Sequence, residues 1–321
     1  MRIKVIGFAL GAMLSALSFS VEAQQRGKIA RIGYAGAGYR SVRIEALRQG
    51  LRELGWVEGK NIVIEERYLE GKLERSSDVA AELVRLKLDV IVWSAGNPGL
   101  KEIKTIPVVY VATSDLLSSG LVESLARPGG NITGLTSLAP ELGGKRLELL
   151  KETVPKLSRV AFLFNPNTPS NVVELEELRR VAPAMRVTLR AVEARAADEI
   201  EPAFSTMIRE RVEGLSTASG PANNTNRTRI VELAAKRRLT AVYHESQFVD
   251  DGGLMSYGTN VAGMFRRAAT YVDKILKGRT PADLPVEQPM KFEFIVNLKA
   301  AKQIGLTIPP NVLVRADRVI R

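Results

Sequence analysis

A single histidine, His244, and no cysteine among 321 residues set narrow terms for covalent or metal chemistry in this chain. Without Cys there is no disulfide framework, zinc ribbon, iron–sulfur cluster or thiol nucleophile, and one His excludes a His-rich metal site. A Ser–His–Asp relay would have to run through His244, and no Gly-x-Ser-x-Gly elbow accompanies it. Gly33-x-x-Gly36-x-Gly38 has the outline of a dinucleotide turn. Its acids, Glu65 and Glu66, come about thirty residues on rather than about twenty, and Arg40 and Arg43 follow the turn directly. Tyr68 and Lys72 have the spacing of a short-chain dehydrogenase pair but lie too early in the chain. These residues point to no catalytic group, no cofactor and no metal.

Small hydroxyls, amides and acids instead collect after short β-branched runs. The candidate ligand-binding residues are Tyr39, Ser94, Asn97, Ser114, Asp115, Asn165, Ser219 and Glu245. If the runs are strands of open parallel sheets, their carboxyl ends are where ligands bind. The hydroxyls, amides and helix N-termini there suit a carboxylate. Asp115 and Glu245 suit an ammonium, and Tyr39 or Trp93 could stack on a ligand. Each has a structural alternative. Ser114 or Asp115 would also cap a helix, Asn97 and Asn165 also make turns, and Trp93 also fits a core. Glu245 also fits a rim, and His244 fits a solvated loop.

The elements that must position these residues alternate in type from Lys28 onward. Expected strands are Ile29–Ala35, Asn61–Arg67, Asp89–Trp93, Pro107–Val111 and Asn131–Thr136, then Ser158–Phe164, Val187–Val192, Glu213–Thr217, Leu239–Tyr243 and Gly253–Tyr257. Helical patterns fall between them. Ser41–Leu54 carries Ile44, Leu47, Leu51 and Leu54 on one face, and Gly55 ends it. Others are Leu73–Lys87, Leu117–Ala126, Glu141–Thr153, Pro169–Met185, Asn223–Arg238 and Asn260–Lys277. Asp198–Arg211 opens with an Asp198-x-x-Glu201 capping box. Such alternation predicts α/β architecture with parallel sheets covered on both faces. Ten strands exceed one modest sheet, and the Pro/Gly-bearing stretch Arg127–Gly134 divides them into two sets, so two doubly wound lobes are expected. The proline-rich tail is read as crossing segments around one strand (Lys291–Val296) and a short helix.

Residues 1–23 read as a secretory signal: Arg2 and Lys4, an apolar run from Val5 to Phe19, and small residues at Val21 and Ala23. The expected mature protein starts near Gln24, is exported to the periplasm, is not lipidated, and is soluble. The formal charge of +11 becomes about +10 after cleavage. Its Lys and Arg alternate with Glu, as in Arg43-Ile44-Glu45, Glu148 to Glu152 and Glu174 to Arg180. That interleaving is expected of solvated helix faces, and it argues against nucleic-acid binding.

Several long strings resemble one family. They are Glu45–Glu65, Gly120–Glu152, Gly252–Asn260 and Arg266–Pro309, and together they span nearly the whole mature chain. The family is that of ABC-transporter substrate-binding proteins, which includes tryptophan- and tyrosine-binding lipoproteins. The resemblance implies a type I periplasmic-binding fold: two α/β lobes joined by three crossing segments, closing on a small solute. The implied bounds are 24–136 with 258–284 for the first lobe and 137–257 with 285–321 for the second. It also implies separate permease and ATPase chains as partners, and a monomeric binder that is no enzyme. The loops depart from the family more than the scaffold does, at Gly96-Asn97-Pro98, at Ser114-Asp115-Leu116 and at Glu213–Pro221. The expected solute is therefore small and polar or amphipathic, amino-acid-like or a carboxylate, and not specifically an aromatic amino acid. An exported two-lobed enzyme, oxidoreductase or hydrolase, and a ligand sensor for a membrane receptor remain open alternatives.

Overall fold

The computed structural model describes residues 29–38, 42–112, 116, 119–137, 140–288 and 292–321. The expected signal segment and the candidates Tyr39, Ser114 and Asp115 lie outside the described residues. Among the described residues no helix is long and apolar enough to cross a membrane.

Five parallel strands build the first sheet: β1 (Ala30–Gly36), β2 (Ile62–Tyr68), β3 (Val90–Ser94), β4 (Val108–Ala112) and β5 (Ile132–Thr136), in the order β2-β1-β3-β4-β5. Its inner strands are runs of Val, Ile and aromatics because both faces are covered. Ile32, Tyr34, Val90, Val92 and Val109 face one side, packing on Ile44, Leu47 and Leu51 of α1 (Val42–Glu53). Ala35, Ile91, Trp93 and Tyr110 face the other, packing on Val79, Ala80 and Leu83 of α2 (Ser76–Arg85). A four-residue helix, α3 (Asn97–Leu100), follows β3.

The second sheet has seven strands: β6 (Arg159–Phe164), β7 (Thr188–Glu193), β8 (Gly214–Thr217), β9 (Thr240–Tyr243), β10 (Met255–Thr259), β11 (Phe292–Asn297) and β12 (Arg318–Ile320). The order is β12-β11-β10-β9-β8-β6-β7, and β11 runs antiparallel to β10. One face is covered by α4 (Pro140–Thr153) and α5 (Pro169–Val181) through Leu147, Leu150, Leu175 and Leu178. The other is covered by α6 (Ile200–Arg209) through Phe204 and Met207. The same face also takes Ile230, Val231 and Ala234 of α8 (Arg227–Lys236), which follows the short α7 (Pro221–Thr225). Two further short helices are α9 (Gln247–Asp250), before the long α10 (Val261–Leu276), and α11 (Leu298–Ile304), before α12 (Pro310–Leu313).

The chain passes between the sheets three times. It leaves β5 for α4, returns from β10 into α10, and leaves α10 for β11. On its return α10 packs in the first core through Phe265, Ala268 and Val272. The crossings are bonded to one another. The Ser137 and Thr259 hydroxyls share a hydrogen bond. Glu287 accepts from Thr136 N at 3.0 Å and donates to Gly134 O at 2.9 Å. Arg267 grips the Glu287 carboxylate at 2.9 and 2.6 Å, which holds that carboxyl below its usual range. The molecule is thus two doubly wound α/β lobes on a three-strand hinge, a type I periplasmic-binding-protein fold.

Four local expectations fail, the first three for a side-chain reason. The helix expected over Leu117–Ala126 is absent where described: 119–126 is turn and bend, because Ser124 Oγ bonds both Arg127 N and Arg127 O, and Pro128 O accepts from Glu123 N. The helix expected over Asn223–Arg238 divides at Asn226, whose amide donates back to Ala222 O at 2.8 Å. The Asp198–Glu201 capping box does not form. A 3-10 turn over Ala197–Glu199 precedes α6, and Glu201 instead pairs with Arg229. The tail holds two strands and two short helices rather than one of each, because β12 adds to the edge that β11 opens.

Candidate functional site

Contacts between lobes place the carboxyl ends of the two sheets face to face. Arg43, in the first turn of α1 after β1, meets Glu245, two residues past β9. The Thr225 hydroxyl of α7 lies beside Gly71, which follows β2, 3.2 Å from where a Cβ would stand.

On the first lobe, Ser94 closes β3 and is buried, and its carbonyl accepts from Ala37 N at 3.0 Å. Asn97 opens α3, with its Oδ1 accepting from Tyr110 Oη at 2.9 Å. Trp93 is a core residue, fully buried, with Nε1 donating to Gly96 O at 2.7 Å. Tyr34, under Arg43, has its phenol pushed up to about 12 by burial, against the pull of the guanidinium.

On the second lobe, Asn165 follows β6 and turns on its own loop, accepting from Asn167 N at 2.9 Å and donating to Arg195 O at 3.3 Å. Asn171 ties that loop to the next, accepting from Asn165 N at 3.1 Å and donating to Ser219 O at 2.8 Å. Ser219 therefore sits at the mouth between β6 and β8. Asn223 braces the same corner, donating to Ala218 O at 2.9 Å and Leu163 O at 3.2 Å.

The centre of the second lobe's rim is a chain of hydrogen bonds that motif reading did not find. His244 is 7% exposed rather than solvated. Its Nδ1 stands 3.0 Å from Thr217 Oγ1 and its Nε2 2.7 Å from Asn224 Oδ1. Asn224 Nδ2 donates to Glu245 Oε2 at 3.2 Å, so its carbonyl oxygen faces the ring. That orientation assigns the proton to Nε2 and leaves Nδ1 to accept from Thr217. Burial, with the Arg146 and Arg43 charges nearby, pushes the ring's pKa well below its usual value. Glu245 is buried too, receiving Arg43 Nη2 at 2.9 Å on both oxygens and Gln247 Nε2 at 2.9 Å. Its carboxylate is an ion-pair partner here, not a rim charge.

Behind this rim lies a second buried pair, Arg146 of α4 with Glu174 of α5; Arg146 Nη1 also donates to Tyr257 O at 3.1 Å. Burial raises the Glu174 carboxyl above its usual range, and the Arg146 guanidinium pulls it back. Both residues, and Arg43, stood in sequence among charges read as solvated. The signal that would have found them is position: Leu142, Arg146, Leu149 and Leu150 share one helix face, as do Asn171, Glu174, Leu175 and Leu178, and all are buried. Among the described residues no cluster of His, Asp and Glu could hold a metal.

Chemically, the cleft offers hydroxyls, amides and neutral imidazole around two internally neutralised ion pairs. It can bind and orient a polar solute, with the His244–Asn224–Glu245–Arg43 chain bonded within itself.

Residues 40–320 match the model of a family described as ABC transporter substrate binding protein. A tyrosine-binding protein of Clostridioides difficile is 22% identical over 262 residues, 80% of this chain and 75% of that protein. A conserved domain protein of Vibrio cholerae superposes with a TM-score of 0.81 at 26% identity, over 91% of this chain and all of its own. An ABC domain from Streptococcus pneumoniae in complex with L-Trp gives a TM-score of 0.82 at 23% identity, over 91% of this chain and 99% of that one.

Proposed function

Because the chain belongs to the ABC transporter substrate-binding protein family, we propose that it captures one small polar or amphipathic solute between its lobes and delivers it to a permease. The solute class is amino-acid-like or a carboxylate. Its contacts are drawn from Tyr39, Ser94, Asn97, Ser114, Asp115, Asn165 and Ser219, with Glu245 engaged by Arg43. The lobes divide at 24–136 with 258–284 and 137–257 with 285–321. Export through the segment 1–23 delivers an unlipidated monomer to the periplasm, where separate permease and ATPase chains complete the transporter.

The observation that carries this reading is the cleft itself. Polar strand ends from two lobes meet over a bonded three-segment hinge, and the binding free energy of a solute touching both lobes favours the closed arrangement. Members of the family bind solutes rather than transform them.

The test is a thermal-shift screen of amino acids, amides and carboxylates on protein stripped of ligand by refolding. A solute at about a hundredfold excess over its Kd adds about 2.7 kcal/mol, which raises Tm by about 5 °C or more. A hit recovered unchanged after prolonged incubation supports binding; conversion of the hit to a product overturns it in favour of an enzyme.

A further inference from the structure

Arg43 and Glu245 are 202 positions apart in sequence and belong to opposite lobes. One guanidinium nitrogen of Arg43 stands 2.9 Å from each oxygen of the carboxylate. Glu245 does not wait for Arg43 to be placed. Gln247 holds Oε1, Asn224 holds Oε2, and Asn224 is itself held by His244, all from the second lobe. Arg43 rides on α1, which is locked into the first core by Ile44 and Leu47 on one side of the helix.

We infer that Arg43 and Glu245 form an interlobe latch, a pair of positioning residues that hold the lobes in the solute-capturing arrangement. The inference rests on capture by lobe closure, and it assigns Glu245 a role other than contact with the solute.

The physical reason lies in what closure does to each charge. Parting the lobes would strip each group of its partner and of the cover the opposite lobe gives it. With the lobes together, Glu245 is 4% exposed and Arg43 20%. The pair then exchanges hydration for mutual attraction, a near balance when both partners are present. Remove Arg43 and closure buries the Glu245 carboxylate without the guanidinium that neutralises it. Closure is therefore conditional on Arg43 while Glu245 is charged, and the loss of Arg43 alone opens the molecule more than the loss of both.

The absence of native cysteine permits a clean measurement. Spin labels on cysteines placed at exposed Val63 and Val173, one on each lobe, report the interlobe distance by double electron–electron resonance. In solute-free protein, Arg43→Met should raise the open-to-closed ratio by about tenfold or more. Adding Glu245→Gln should recover most of that change, and Arg43→Lys should stay more closed than Arg43→Met. An Arg43→Met variant with the wild-type distance distribution overturns the latch. So does a double variant as open as Arg43→Met alone, since that shows no coupling. The thermal-shift screen tests solute capture separately, so the latch and the binding function can fail independently.

Discussion

Acid should weaken this protein through one ring. His244 is neutral in the fold, donating from Nε2 to Asn224 and accepting from Thr217 at Nδ1. Its surroundings oppose a proton: burial first, then Arg146 from α4 and Arg43 from the other lobe. The folded pKa lies well below 6.5, so as pH falls the unfolded chain takes up the proton first. Stability held by the neutral ring is complete above 6.5 and is lost as pH falls toward the folded pKa. One unit below 6.5, about ten of eleven unfolded rings are charged, and the loss is about 1 kcal/mol. That corresponds to a fall in Tm of about 2 °C. The assay is thermal unfolding of wild type and His244→Gln at about pH 7.5 and about pH 5.5. Every other group titrates in both proteins, so the change in the gap between them reports the ring alone. The variant should lose less stability than the wild type, by about 1 kcal/mol. A gap that is the same at both pH values refutes the neutral, buried ring.

Two further substitutions probe the parts that hold the cleft in place. Arg146→Met strips Glu174 of its buried cation, and unfolding in urea should show a loss of about 3 kcal/mol or more. Adding Glu174→Leu should restore most of it; a single variant as stable as wild type refutes the pair. Gly134 in β5 has φ +137°, and a Cβ there would stand 2.0 Å from Tyr110 O on the paired strand. Gly134→Ala should therefore cost about 2 kcal/mol or more, because Tyr110 O is backbone and the strands must part. An unchanged Tm refutes the close approach.

How much of this was legible in sequence depended on whether the information was local. Val90–Ser94 and Val108–Ala112 are apolar runs that suit only strands covered on both faces, so the parallel sheets could be read directly. The exits of such strands follow by rule, and Ser94, Asn97, Asn165 and Ser219 stand at or just past them. Local competition was harder: nothing in the pattern of Asn223–Arg238 says that the Asn226 amide will take the Ala222 carbonyl and divide the helix. The charges were the hardest. Arg43 stands two residues from Glu45 and Arg179 three from Glu176, and the same interleaved pattern hides one in the cleft and leaves the other exposed. What separates them is the partner, and for Arg43 that partner comes from the other lobe. A charge that lies on the apolar stripe of its own helix, as Arg146 does, announces a buried partner. Arg43 shares a face with Leu47, Gly50 and Leu51 as well, but it stands in the first turn of its helix and its partner comes from the other lobe, so a latch of this kind is visible only in the closed protein.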